Sequence, residues 1–395
     1  MLKNNDYEVI LPGQTIGIIG GGQLGRMMAI AARYMGYRIV VLDPTENCPT
    51  AQVADEQIVA AYDDMEAIIQ LTDKCDVITY EFENVDLEAA TYIEQQGKLP
   101  QGAYPLAVTQ NRQKEKELLQ QLGLPVPRFA IVNDGESCRQ VLQDFPLPAV
   151  VKTCRGGYDG KGQIKIRSEQ DIEQAVEFVE RHQFCIVEEW ILFDQEISII
   201  FSRTASGQLT FFPLAENDHQ DHILATTIAP ARVSDMVADK AIQAATKIAE
   251  KMNIVGTFAI EMFVKGEDIF INEMAPRPHN SGHYTIEACN VSQFTQHIRA
   301  ICQLPLVEVS LLQPALMINL LGEDLPHAFE KMQEEGIGFI HLYGKAEAQP
   351  KRKMGHVTFL AHTIDELQRL QESWLKIDRN NQANGSDDVR GIKHD

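Results

Sequence analysis

The sequence predicts a multidomain protein of mixed class, α/β in its first domain and α+β beyond it, on three observations. A strand, glycine turn, helix and second strand follow one another over Thr15–Leu42. An unrelated glycine-rich stretch, Gly156–Gln163, follows an apolar strand that delivers Lys152. A long hairpin over Gly256–Met274 carries one acid on each strand, Glu261 and Glu273. At 395 residues the chain exceeds what one hydrophobic core accommodates.

Composition is that of a globular protein, 44% hydrophobic and 23% charged. A formal net charge of −21 argues against nucleic-acid binding, which needs broad positive surface, but leaves room for small phosphorylated ligands. No apolar run approaches membrane-spanning length, and Met1–Ile10 lacks a signal-peptide core. The seven cysteines are scattered with no Cys-x-x-Cys pair, which fits a reduced cytoplasmic protein without structural zinc.

In the first domain, strand Thr15–Ile19 leads into Gly20-Gly-Gly-Gln-Leu-Gly25, apolar helix Arg26–Met35 and strand Arg38–Leu42, ending at Asp43. This βαβ unit with G-x-G-x-x-G at its first turn is Rossmann-like. It makes a dinucleotide-dependent dehydrogenase the rival reading, since many such domains bind no NAD. Strand Asp76–Tyr80 runs into Glu81 and Glu83, acids at the carboxyl end of a strand, where open α/β sheets bind ligands. Helix 86–96 and the segment 97–105 close the domain.

Helix Asn111–Leu122 has Leu118, Leu119 and Leu122 as its apolar stripe and stops at Gly123-Leu-Pro-Val-Pro127. Strand Phe129–Val132, helix Gly135–Gln143, the strand ending in Lys152 and helix Ser168–Arg181 make a small α+β lobe. Glycines 156, 157, 160 and 162 let backbone N–H groups approach a bulky anion, and Lys152, Arg155 and Lys161 add local positive charge. Strand Phe184–Ile191 turns acidic at its end, and strands Glu196–Ser202 and Leu209–Pro213 read as a meander. His219 and His222 fall in a polar loop, followed by amphipathic helix Ser234–Lys251.

The hairpin is the most informative element. A three-residue turn at Gly266–Asp268 makes Glu261 and Glu273 cross-strand neighbours; a turn one residue longer sets Glu261 opposite Asn272. Two adjacent carboxylates repel unless a cation lies between them, and oxygen ligands without Cys or His suit Mg²⁺ rather than Zn²⁺. The rigid loop Ala275–His283 follows, then helix Thr285–Ile301. Strands Ala315–Leu320, Phe339–Leu342 and Gly355–Leu360, a basic knot (Lys345, Lys351-Arg-Lys353) and helix Asp365–Leu375 end the ordered pattern. The polar residues 378–395 read as a disordered tail.

Taken together, Lys152, Gly156-Gly-Tyr-Asp-Gly-Lys-Gly-Gln163, Val187-Glu-Glu-Trp-Ile191, Glu196, Glu261 and Ile271-Asn-Glu-Met-Ala-Pro-Arg277 resemble an ATP-grasp enzyme. With Gly20–Met27, Ala275–His283 and Lys353-Met-Gly-His356, the chain more narrowly resembles the 5-(carboxyamino)imidazole ribonucleotide synthase family over about 14–376. That resemblance implies a Rossmann-like N-terminal domain (14–108), a two-lobed ATP-grasp domain (small lobe with glycine-rich lid, 109–187; large lobe, 188–305) and a small β-rich C-terminal domain (306–377). It implies a ligase, cytoplasmic and homodimeric, that joins bicarbonate to the exocyclic amine of 5-aminoimidazole ribonucleotide through carboxyphosphate, with ATP cleaved.

For the site, the resemblance implies that Arg112, Lys152, Gly157, Tyr158, Asp159, Gly160, Lys161, Gly162 and Gln163 contact ATP phosphates. Glu188, Glu189, Trp190 and Ile191 would hold adenine by backbone, Glu196 the ribose, and His219 would line the site. Glu261 and Glu273, helped by Asn272, would hold Mg²⁺, with Mn²⁺ tolerated in its place. The nucleotide substrate would meet Gln23, one or both of Glu81 and Glu83, Tyr158, Asp159 and Lys161, with Lys345 and Arg352 near its phosphate. Arg277 and His279 would position bicarbonate, and Asp159 and Lys345 join them as catalytic candidates. Lys161 stands where relatives often carry Arg, keeping the charge without the bidentate fork.

Overall fold

The computed structural model describes residues 8–156, 162–335 and 338–375. The chain begins with β1 (Thr15–Ile19), α1 (Gln23–Tyr34), β2 (Arg38–Leu42), β3 (Glu56–Ile58), α2 (Met65–Lys74) and β4 (Val77–Tyr80). These strands form one parallel sheet, ordered β3-β2-β1-β4, with Ile16 opposite both Ile39 and Val77. α3 (Leu87–Gln95) and α4 (Ala103–Thr109) complete the domain. α4 is missing from the sequence reading because of Pro105, which lies in the helix's first turn, where an amide has no intrahelical partner.

The small lobe comprises α5 (Arg112–Gln121), β5 (Phe129–Val132), α6 (Gly135–Asp144), β6 (Ala149–Thr153), β7 (Gln163–Ile166), α7 (Ile172–His182) and β8 (Cys185–Glu189). Its antiparallel sheet runs β5-β8-β6-β7, and β8 carries it past residue 187, where the lobe was expected to end. The large lobe follows with β9 (Gln195–Arg203), β10 (Leu209–Phe211), β11 (Ala215–Gln220), β12 (Ile223–Ala229), α8 (Asp235–Lys251), β13 (Gly256–Lys265), β14 (Asp268–Ala275), α9 (Thr285–Ala288) and α10 (Gln293–Ile301). The last elements are β15 (Ala315–Leu321), α11 (Leu325–Glu335), β16 (Phe339–Leu342), β17 (Lys353–Leu360) and α12 (Ile364–Leu375). A single antiparallel sheet, β14-β13-β9-β11-β12-β15-β17-β16 with β10 beside β9, spans both, so the C-terminal strands extend the large lobe's sheet.

Two expectations are corrected. The polar loop holding His219 and His222 is a hairpin: β11 pairs with β12 around Asp221 and His222, both at positive φ, the geometry of a tight primed turn. The expected helix Thr285–Ile301 breaks after Ala288, and Ser292 caps its second half by accepting from Thr295 N–H at 3.1 Å. No helix among the described residues is long and apolar enough to cross a membrane, and all seven cysteines are free and buried. The tail 378–395 lies outside the described residues.

The first domain docks on α10: Ile16, Ile18 and Met28 pack against Phe294 and Ile298, each such side chain worth about 1.5–3 kcal/mol on burial. His297 beside them joins three elements. Thr257 donates its N–H to Nδ1 at 3.0 Å, so the ring proton sits on Nε2, 2.8 Å from Thr79 Oγ1. Burial drives this imidazole down to about 3. The unfolded chain therefore binds a proton below about 6.5 that the folded chain refuses, and stability falls as pH falls. Between pH 6.5 and about pH 4.5 this residue should remove roughly 2–3 kcal/mol. Melting curves should show a smaller acid loss in His297→Gln than in the parent; equal losses would exclude His297 as the source.

Candidate active site

The acid hairpin is built by β13 and β14. Its turn is only Gly266-Glu267, one residue shorter than expected, and strict pairing from Lys265–Asp268 would set Glu261 against Asn272. A bulge at Asn272 absorbs that difference and leaves Glu261 directly opposite Glu273. Burial, then the charge of Glu273, pushes the Glu261 carboxyl up to about 8. A dication relieves that repulsion, and the oxygen donors of Glu261, Glu273 and Asn272 fit Mg²⁺. Among the described residues no group of three or more His, Cys, Asp or Glu could hold a metal. An ion held by these oxygens would leave positions for water and phosphate oxygens, which Mg²⁺ favours.

Cationic and imidazole groups surround the pair. Arg112 Nη1 lies 3.6 Å from Glu273 Oε2. His279 Nε2 lies 3.6 Å from Glu261 Oε1, while its Nδ1 accepts from Ser281 N–H at 3.3 Å. Burial and nearby Arg277 keep this ring neutral, so it presents an N–H rather than a charge to Glu261. Burial would lower His219, but its 2.6 Å bond to Glu196 and the charges of Glu261 and Glu273 lift it to about 9. β11 is polar in sequence because this side chain faces the site.

On the small lobe, Lys152 Nζ sits 2.5 Å from Glu188 Oε2, and Gln163 is its cross-strand partner. Burial would raise the Glu188 carboxyl, yet Lys116 and Lys152 hold it at about 2. The Glu188 side chain thus serves lysines. The amides of Glu189 and Trp190 donate to Arg128 and Pro148 carbonyls at 2.8 and 3.1 Å. Lys165 caps the Trp190 ring at 3.6 Å. Gly157, Tyr158, Asp159, Gly160 and Lys161 lie outside the described residues.

The first-domain glycine turn is not an open anion site. Gly22 and Gly25 donate their amides to Glu81, the latter at 2.7 Å, and Gly21 donates to Asp43 at 2.7 Å. A Cβ on Gly22 would lie 2.5 Å from Glu81 Oε1, so glycine is required for this close approach. The protein's own carboxylates occupy the place where a dinucleotide's pyrophosphate would bind, which removes the dehydrogenase reading. Glu83 instead receives Arg277 Nε at 2.6 Å; burial would raise its carboxyl, but that guanidinium holds it below the usual range. Gln23 opens α1 beside the turn. Across from it, Gln52 donates to Gly344 O at 2.8 Å and tethers the loop that carries Lys345. Lys345 Nζ donates to Lys353 O at 2.7 Å, and exposed Arg352 donates to Glu347 O at 3.0 Å.

Glu115 and Lys116 were missed. Both are buried, Glu115 accepting from Met274 N–H at 2.8 Å and Lys116 donating to Asn272 O at 2.7 Å. The sequence signal was there: Glu115 falls on the helical stripe 115, 118, 119, 122, where a charge needs a partner.

Residues 13–110 match the ribonucleotide synthetase preATP-grasp domain, 117–294 the ATP-grasp domain and 315–370 the phosphoribosylaminoimidazole carboxylase C-terminal domain. The N5-carboxyaminoimidazole ribonucleotide synthase of Bacillus subtilis is 46% identical over 373 residues, 94% of this chain and 98% of the relative. A crystal structure of an N5-carboxyaminoimidazole ribonucleotide synthetase with ADP superposes with a TM-score of 0.91 at 48% identity, covering 95% of this chain and 100% of that one. An Aspergillus clavatus N5-carboxyaminoimidazole synthase with ADP and 5-aminoimidazole ribonucleotide gives 0.86 at 33% identity, covering 93% and 99%.

Proposed function

Since the chain belongs to the N5-carboxyaminoimidazole ribonucleotide synthase family, we propose the following division of labour among its residues. The protein is an ATP-grasp ligase of purine biosynthesis that carboxylates 5-aminoimidazole ribonucleotide with ATP. Bicarbonate is the carbon source. ATP lies between the small lobe and the acid hairpin, with Arg112, Lys152 and the segment Gly157–Gln163 on its phosphates. Adenine meets the backbone of the segment Glu188–Ile191, and the ribose meets Glu196, which His219 orients. Glu261, Glu273 and Asn272 hold Mg²⁺, which when bound offsets the charge of the phosphate oxygens and of the two acids.

A bicarbonate oxygen attacks the γ-phosphorus and ADP leaves, giving carboxyphosphate. The amine nitrogen then attacks the carboxyl carbon, either of carboxyphosphate, expelling phosphate, or of CO₂ already released together with phosphate, and the proton lost from the amine passes to that phosphate. Moving the phosphoryl group is mainly positioning and charge neutralisation, which Lys152 and Arg112 supply from the protein side. Arg277 brings a fixed positive charge to bicarbonate, and neutral His279 adds a hydrogen-bond donor without adding charge. Glu83 rather than Glu81 faces the nucleotide substrate, because Glu81's oxygens are taken by Gly22 and Gly25. Gln23, Tyr158, Asp159 and Lys161 complete that contact, with Lys345 and Arg352 toward its phosphate. A cytoplasmic homodimer is part of the proposal, and sedimentation velocity tests the association.

One observation carries this reading: the paired acids of the hairpin run directly into Arg277 and His279, so a metal-bound phosphate has a cationic bicarbonate site beside it. Coupled ADP release should need MgATP, bicarbonate and aminoimidazole ribonucleotide together. Glycinamide ribonucleotide and biotin should give none; activity with either of these alone overturns the substrate assignment.

A further inference from the structure

Lys116 lies outside every contact so far assigned to ATP, yet it touches both halves of the ATP site. It is 1% exposed. Its ammonium donates to Ile271 O at 3.2 Å and to Asn272 O at 2.7 Å, and forms an ion pair with Glu188 Oε1 at 3.3 Å. An ammonium this enclosed and held by these three groups does not reach a phosphate, so whatever it does it does through its partners. We infer that Lys116 is a positioning residue that frees the charge of Lys152 for phosphate and fixes the bulge that sets Glu273 opposite Glu261.

The first half follows from charge. Glu188 is 2% exposed and is shared by Lys116 and Lys152. Two ammoniums on one carboxylate leave a net positive charge, and Lys152 is the member on the phosphate side. With Lys116 removed, Glu188 and Lys152 form a closed neutral pair and Lys152 has no net charge to offer an anion. The second half follows from geometry. Lys116 binds the carbonyls of Ile271 and Asn272, and its neighbour Glu115 binds the amide of Met274. α5 therefore grips β14 on both sides of Glu273. Register slip at the bulge would set Asn272 against Glu261 and take the second acid from the metal pair.

This inference rests on the proposed seating of the phosphates at Lys152 and of Mg²⁺ at the acid pair. Its test is steady-state ADP release with ATP and Mg²⁺ varied separately, beside melting curves. Lys116→Met keeps the length and removes the charge. It should raise the KM for ATP and the Mg²⁺ concentration for half-activity, each by at least about 10-fold. Lys116→Met with Glu188→Gln restores the charge balance, so the KM for ATP should return to within about 3-fold of the parent while the Mg²⁺ requirement stays high. A packing residue would not respond to that second change. Lys116→Met that melts lower with both constants unchanged overturns the inference, as does a double variant no better in KM than the single one. Should Lys116→Met not fold, Lys116→Arg decides: the charge remains and the bulge contacts change, so only the Mg²⁺ requirement should rise, and a matching rise in KM for ATP refutes the charge role. A parent enzyme without MgATP-dependent ADP release would instead sink the seating of ATP itself.

Discussion

Glu273→Gln should lower MgATP-dependent ADP release by at least about 1,000-fold while the melting temperature holds or rises. The two directions come from the same contact. Without an ion, Glu261 and Glu273 face each other across the strands, and Glu261 is pushed up to about 8 because burial and its neighbour both oppose its charge. A neutral amide of the same shape removes the repulsion, which offsets the loss of the 3.6 Å ion pair with Arg112. With the ion, the same amide removes one of the two carboxylates that bind it, and the charge on the transferring phosphoryl group goes unmatched. Mg²⁺ should accordingly raise the melting temperature of the parent and leave that of Glu273→Gln unmoved. Near-normal ADP release would remove the metal role from Glu273.

How far the sequence could be read has physical limits that fall on particular residues. The carboxylates of the hairpin were legible from strand alternation, but the bulge at Asn272 was not, because one extra residue in a strand leaves no mark in residue type. β11 was hidden for the opposite reason. Its polar run, Ala-Glu-Asn-Asp-His-Gln, has no apolar face to recognise, since Asn217 is buried by bonding to Ser198 and Thr227 while His219 serves Glu196. The glycine turn gave the right fold and a misleading ligand. Which anion sits on a helix N-terminus depends on what β4 brings there, and it brings Glu81. Motif order carried the family, because residues spread from Gly20 to His356 constrain each other more than any one of them does alone.

The second large effect is expected at Arg277. Arg277→Met should cut kcat by at least about 100-fold and raise the bicarbonate KM, with a stability loss of about 1–3 kcal/mol. The stability term belongs to Glu83, left without its 2.6 Å partner in a site where the Arg277 side chain is 15% exposed and that of Glu83 33%. Full burial of an unpaired carboxylate would cost more; solvent at Glu83 reduces it. The catalytic term belongs to bicarbonate, since His279 is neutral and cannot replace the lost charge. The two are separable. Adding Glu83→Gln removes the stranded carboxylate, so the melting temperature should recover while kcat stays low. A double variant that regains kcat along with stability would mean that Arg277 acts by holding the fold together, and the anion would then have to be placed elsewhere.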